Sequence, residues 1–194
     1  MTRLDSAIEV ERKRQLPDDG RQLALLLGEL GWKPTHPLTE VDTYYSRPDI
    51  DYMATVECLR VRRRGDFAEI TYKPPSTAVT HSANGVISKQ ETNVHLDSAS
   101  QAALADQLLE YIGMRPLVRV EKNRTTYHHP TQPGVTVSID MVAGVGAFVE
   151  TEVISTDVTL ATLKVEQTEN QLGITDLPPV DLPYRDLALT RAPA

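Results

Sequence analysis

The segment Ile8-Glu9-Val10-Glu11-Arg12-Lys13 constrains this chain more than any other. Its polar residues Glu9, Glu11 and Lys13 alternate with Ile8, Val10 and Arg12, and a period of two is the signature of a β-strand. In an extended strand Glu9 and Glu11 share one face, roughly 6–7 Å apart, with Lys13 one step further on. Two carboxylates aimed at one place repel each other unless a cation compensates them. Divalent-cation binding is the functional reading of the motif. The plain alternative is the acidic, solvated face of an ordinary strand, and taken alone the motif favours that alternative.

The bulk of the sequence sets limits. A chain of 194 residues reads as a single domain over 1–194, with a core from about 5 to 188. A net charge of −7 argues against nonspecific binding to nucleic acid or an anionic membrane. Cys58 is the single cysteine, which excludes an intramolecular disulfide and fits a reducing compartment. The sequence carries neither an apolar run of membrane-spanning length nor an apolar leader, so a cytoplasmic protein is the expectation.

Periodicity and breakers predict eight strands: 8–13, 35–45, 58–64, 68–73, 86–96, 117–127, 135–142 and 147–154. Gly65-Asp66 and Gly144-Val145-Gly146 read as hairpin turns, and the polar stretch Ser76 to Gly85 as a mobile loop. Helices are predicted from Arg21 to Leu30, from an Asp97-Ser98 cap through Tyr111, and from Thr159 to Leu172. The second of these is expected to bury Leu104, Leu108, Leu109 and Ile112. The Pro-rich tail ends in Tyr184-Arg185-Asp186-Leu187. The fold class is therefore α+β: an eight-stranded antiparallel β-barrel flanked by about three helices.

Charges follow the strand faces. Besides the opening strand, Arg60, Arg62 and Arg64 share a face, as do Lys89 and Glu91, Lys122 and Arg124, and Glu150 and Glu152. Surface strands usually mix signs; here whole faces are nearly single-signed. If they all look into a barrel, the interior holds acidic patches beside basic ones, unstable when empty because like charges repel where water is scarce. A polyphosphate with its divalent cations is the partner that completes such an interior. The other isolated signals point to ordinary structure. His128-His129 reads as a turn, His36, His81 and His95 as polar positions, Cys58 and Trp32 as packing. Tyr44 and Tyr45 are open between packing and a place at the tunnel mouth.

On these residues the sequence also resembles the CYTH superfamily, the triphosphate tunnel metalloenzymes. Glu9-Val10-Glu11-Arg12-Lys13 matches its ExExK signature. Leu59-Arg60-Val61-Arg62 looks like its basic strand, Thr71-Tyr72-Lys73-Pro74 like the lysine-bearing partner, Val120 to Tyr127 like the second basic strand, and Ile139 to Glu152 like the distal acidic hairpin. The resemblance implies an eight-stranded tunnel that binds Mg²⁺ or Mn²⁺. It implies Glu9, Glu11, Asp140, Glu150 and Glu152 as metal ligands, or holders of metal-bound water. Lys13, Arg60, Arg62, Lys73, Lys89, Glu91, Lys122 and Arg124 would form the triphosphate site, with Glu9, Glu11 and Lys13 in catalysis. Lys89 stands where an arginine is more usual. The ending Pro183-Tyr184-Arg185-Asp186-Leu187 and the phrase Glu121-Lys122-Asn123-Arg124 look like class IV adenylyl cyclases, which turn ATP into cyclic AMP and pyrophosphate. Two departures stand against that branch and its neighbour: Asp5-Ser6-Ala7 replace a His-Phe pair of some bacterial cyclases, and no lysine follows Lys164. The alternatives are an inorganic, thiamine or nucleoside triphosphatase and, more remotely, a non-catalytic polyphosphate or nucleotide binder. Relatives of the cyclase type commonly form homodimers, though no residue here demands one.

Overall fold

The structure is a computed structural model that describes residues 8–77 and 85–191. Asp5-Ser6-Ala7, His81 and most of the predicted Ser76–Gly85 loop lie outside the described residues.

The strands are β1 (Ile8–Gln15), β2 (Lys33–Pro34), β3 (Leu38–Ser46), β4 (Cys58–Arg64), β5 (Phe67–Lys73), β6 (Ile87–Lys89), β7 (Thr92–Leu96), β8 (Arg115–His128), β9 (Val135–Val142) and β10 (Gly146–Ser155). Four helices accompany them: α1 (Arg21–Glu29), α2 (Gln101–Tyr111), α3 (Val158–Leu172) and α4 (Tyr184–Arg191). All pairings are antiparallel, in the order β6-β1-β10-β9-β8-β3-β4-β5-β7, with the two-residue β2 added beside β8.

The expectation of eight strands fails at one informative place. The predicted strand 86–96 is broken at Gln90-Glu91: β6 pairs with β1, whereas β7 pairs with β5. These two halves are the opposite ends of the strand order, so one short crossing draws the sheet round into a closed wall. The second correction is α4, which the sequence reading left as tail. The third is α2, which buries Ala102, Ala105 and Leu109 and leaves Leu104, Leu108 and Ile112 exposed, contrary to the predicted stripe. It also starts later than predicted, with Ser100 at its N-cap and no side-chain cap bond.

The hydrophobic core lies outside the barrel wall. Val10, Val137, Val149 and Val153 pack outward under Leu23 and Leu27 of α1 and Ala161, Val165 and Leu172 of α3. On the other flank Tyr45, Val61 and Ala68 pack under α2. Gly20 seats α1: its φ is +77°, and a Cβ there would stand 2.8 Å from Ile139 Cγ2. Asp157 caps α3 by accepting from the Leu160 amide at 2.9 Å. A buried ion cluster pins α3 to β1: Arg12 donates to Glu169 at 2.7 Å and Arg14 to the same carboxylate oxygen at 2.8 Å. Arg14 also donates to the Thr175 and Leu177 carbonyls. Inside the wall, one end is apolar: Tyr44, Val120, Val142 and Phe148 pack on Tyr184, Leu187 and Ala188 of α4. Arg185, buried beneath, donates to the Glu57 and Tyr52 carbonyls and so ties α4 to the loop before β4.

Candidate functional site

Where a strand commits its apolar residues to the outer core, period-two alternation sends its polar ones inward. They line a cavity of about 460 Å³. Among its lining residues are Glu9, Glu11, Lys13, Arg60, Arg62, Lys73, Lys89, Glu91, Lys122, Arg124, Glu150 and Glu152. Asp140 is the one residue of the predicted site that does not reach the cavity. A second recess of about 340 Å³, bounded in part by Thr35, His36 and His128, shares Arg64 and Arg124 with the first.

Register sets the acidic corner. Glu11 faces Glu152 across the β1–β10 pairing, Lys13 faces Glu150, and Glu9 lies one inward step beyond Glu11. Glu9, Glu11 and Glu152 each offer an oxygen within 4.8 Å of the others. Burial raises the Glu9 pKa well above the usual carboxylate range, and Glu11 adds to that while Lys73 opposes it. Burial, then Glu11, raises Glu152. Carboxylates that resist ionisation together gain from a shared cation.

The five predicted ligands therefore divide. Glu150 is ion-paired with Arg124; burial opposes its ionisation, but Arg124, Lys122 and Lys13 prevail and its pKa is lowered. Asp140, fully buried, accepts from Arg124 Nε at 2.7 Å, from the Tyr184 hydroxyl at 2.9 Å and from Lys122 Nζ at 3.4 Å. In this arrangement Asp140 holds cations from below.

The basic wall is similarly underpinned. Arg62 donates twice to Asp42, both bonds 2.7 Å, and also contacts Glu40 at 3.3 Å. Glu40 is fully buried beside Arg62, Arg64 and Lys122. Burial would raise its pKa, but Arg62, Lys122 and Arg124 outweigh that and hold it down at about 2. Glu69 stands 3.9 Å from both Arg60 and Arg62. Lys73 donates to Glu9 at 2.9 Å and is ion-paired with Glu91. Lys89 donates to the Val56 carbonyl at 2.7 Å. Lys13 Nζ sits 4.3 Å from the centroid of the Tyr184 ring, and burial lowers its pKa against the pull of Glu150 and Glu11.

These buried partners correct the expectation of an interior unbalanced when empty. Glu40, Asp42 and Asp140 supply internal counter-charge for the basic strands. Sequence reasoning placed β3 as a polar-aromatic strand and missed Glu40 and Asp42. The signal was present, since Glu40, Asp42 and Tyr44 alternate as Glu9, Glu11 and Lys13 do. Tyr44 does line the cavity, whereas Tyr45 faces outward and donates to Asp106 at 2.8 Å.

Comparison with known proteins agrees with this geometry. The CYTH domain model matches residues 7–181. This chain belongs to the CYTH domain family. A relative from Methanocaldococcus jannaschii, named "Putative adenylate cyclase MJ0240", is 28% identical over 145 residues, covering 75% of this chain and 76% of that protein. The PH1819 protein of Pyrococcus horikoshii superposes with a TM-score of 0.78 at 24% identity, covering 95% of this chain and 99% of that one. HpAC1 of Hippeastrum, described as having a dominant triphosphatase activity, superposes with a TM-score of 0.65 at 12% identity, covering 96% and 97%. These two likenesses show a shared fold. Among the described residues, no helix is long and apolar enough to cross a membrane.

Proposed function

We propose that this CYTH protein is a divalent-cation-dependent enzyme acting on a triphosphate. One observation carries the reading: a three-carboxylate corner and a wall of arginines and lysines line the same cavity. The all-oxygen donor set of Glu9, Glu11 and Glu152 suits Mg²⁺ or Mn²⁺, and the raised pKa values of Glu9 and Glu152 fit a place built for a cation. When bound there, the cation supplies Lewis-acid charge that activates the attacking oxygen and offsets phosphate charge.

The chain's own residues do the rest. Arg60, Arg62, Lys73, Lys89, Lys122 and Arg124 bind the phosphates and neutralise charge building on the leaving oxygens. Asp42, Glu40 and Asp140 hold Arg60, Arg62, Lys122 and Arg124 in place beforehand, so little reorganisation is needed when substrate arrives. Lys13 Nζ, made a readier proton donor than an exposed lysine by its burial, gives a proton to the leaving phosphate oxygen, while the nucleophile's proton passes to solvent. Glu91 holds Lys73 through an ion pair.

Kinship with the Methanocaldococcus protein favours a class IV-type adenylyl cyclase. There the 3′-oxygen of ATP bonds to the α-phosphorus and pyrophosphate leaves. A triphosphatase is the second reading, in which water attacks the terminal phosphorus. It is favoured by the aromatic residues that line the cavity: Tyr44 and Tyr184 are both buried, and the Tyr184 ring is already engaged by Phe148 and Lys13. That leaves adenine without an open ring among the described lining residues. Incubating the purified chain with ATP, tripolyphosphate and thiamine triphosphate, each with Mg²⁺ or Mn²⁺, separates the readings. Cyclic AMP with pyrophosphate marks the cyclase and orthophosphate the hydrolase. Binding without turnover on any of them would defeat the enzymatic reading.

A further inference from the structure

The inward rows of β3 and β8 continue past the main cavity. On β8 the row runs Lys122, Arg124, Thr126 and His128, and on β3 it runs Asp42, Glu40 and Leu38, since alternate residues share a face. The main cavity takes Lys122 and Arg124, whereas the second recess, of about 340 Å³, begins at Arg124 and continues to Thr126 and His128. Arg64, set opposite Glu40 in the β3–β4 register, lines both spaces. The Thr35 amide donates to the Thr126 carbonyl at 2.8 Å, which ties Thr35 and His36 to the same rim.

This recess holds donors that lack acceptors. Arg64 gives Nη1 to Glu40 at 3.2 Å, and its guanidinium carbon lies 4.6 Å from the centroid of the Phe67 ring. Its Nε is buried without a hydrogen-bond partner among the described residues. A buried donor left unpaired is costly enough to mark a missing acceptor. Arg124 commits Nε and Nη2 to Asp140 and Glu150, which leaves Nη1. Glu40 is the one acidic residue among the described lining residues, and Arg62, Arg64 and Lys122 already share it. Thr35, Thr126, His36 and His128 add hydroxyl and ring N–H groups that can donate.

We propose that the second recess is a subsite for a tetrahedral phosphate group held between Arg64 and Arg124. The planar fork of an arginine suits two phosphate oxygens at once. At about 30 Å³ per water, the recess has the room of roughly ten waters, enough for one such group with part of its hydration shell. Its occupant is free orthophosphate or the end phosphate of a chain longer than three. Only the second of these rests on the reading of the main cavity as a triphosphate site.

Calorimetric titration of the full chain with orthophosphate, in EDTA and at fixed ionic strength, tests it. Binding is expected with a dissociation constant below about 10 mM. Arg64→Gln should weaken it at least about tenfold and Thr126→Val, which keeps both arginines, about threefold. Lys73→Gln, which changes a residue of the main cavity alone, should alter it less than about twofold. At constant pH, the ring proton signals of His36 and His128 should shift as orthophosphate is added. Those of His95 and His129, which line neither space, should stay in place. If Arg64→Gln costs tetrapolyphosphate binding more than tripolyphosphate binding, a chain end is the occupant; equal losses, with the orthophosphate loss intact, identify the free ion. Failure of turnover on triphosphates would leave the orthophosphate results standing, so the two readings fail separately. No orthophosphate binding, binding that Lys73→Gln weakens and Arg64→Gln does not, or equal shifts at all four histidines would overturn the proposal.

Discussion

Arg62 lies flat against Asp42 through two parallel hydrogen bonds, Nε to Oδ1 and Nη2 to Oδ2, each 2.7 Å long. The two residues are direct neighbours in the β3–β4 register, and both are buried. A bidentate pair of this kind fixes the guanidinium in orientation as well as position. It explains how a cavity wall rich in arginine and lysine is held together without a ligand.

Removing one partner of such a pair leaves a buried charge uncompensated. Asp42→Ala is expected to destabilise the fold by about 3 kcal/mol, read as a lower urea midpoint at unchanged slope. Tripolyphosphate should restore part of the loss by supplying the missing negative charge. An unshifted midpoint would mean that Arg62 finds other partners.

Glu40 predicts the acid behaviour. Its folded pKa of about 2 lies below the ordinary 4.5, so its contribution is fully present above pH 4.5 and is lost as pH falls from there towards 2. The depression corresponds to about 3 kcal/mol. Glu40→Gln should therefore lower stability at pH 7 and bring the stability curves of variant and wild type together only as pH falls to about 2. Parallel curves through that window would contradict the assignment.

The acidic corner makes the opposite prediction for stability. Glu152 is kept from ionising by burial and by Glu11, so Glu152→Gln should raise the metal-free melting temperature by about 2–4 °C. The same change should weaken or abolish the further rise that Mg²⁺ or Mn²⁺ gives the wild type. Glu9→Gln with Glu11→Gln should abolish turnover while the circular dichroism spectrum persists. Full activity in that double variant would remove these residues from the site.

Glu169 offers a test far from the cavity. It neutralises both Arg12 and Arg14 with no exposure of its own. Glu169→Ala should cost about 3 kcal/mol or more and loosen α3 from β1. Faster proteolysis in the segment that follows α3 would report the loosening, since Arg14 also holds the Thr175 and Leu177 carbonyls there.

Much of the architecture was legible because period-two alternation is a local property. Glu9, Glu11, Lys13, Arg60, Arg62, Lys122, Arg124, Glu150 and Glu152 were assigned to shared strand faces from spacing alone, and each of those faces lines the cavity. The hairpin at Gly144-Val145-Gly146 was readable for the same reason, since it joins β9 to β10 as expected.

What the sequence determined by itself is which side chains of each strand travel together. A one-residue slip would turn a whole set to the other face, so the alternation permits no mixture. Only the tertiary structure decided what those side chains meet, because that depends on register between strands distant in sequence. Register sets Glu152 opposite Glu11, places Asp42 under Arg62, and withdraws Asp140 beneath Arg124 and Lys122. It also splits β6 from β7, since closing the wall requires one segment to pair with both edges. In α2 a period near 3.6 fits an alanine stripe as well as a leucine stripe. The close approach of the helix to Tyr45 and Val61 selected the small residues, leaving the leucines to the outer face.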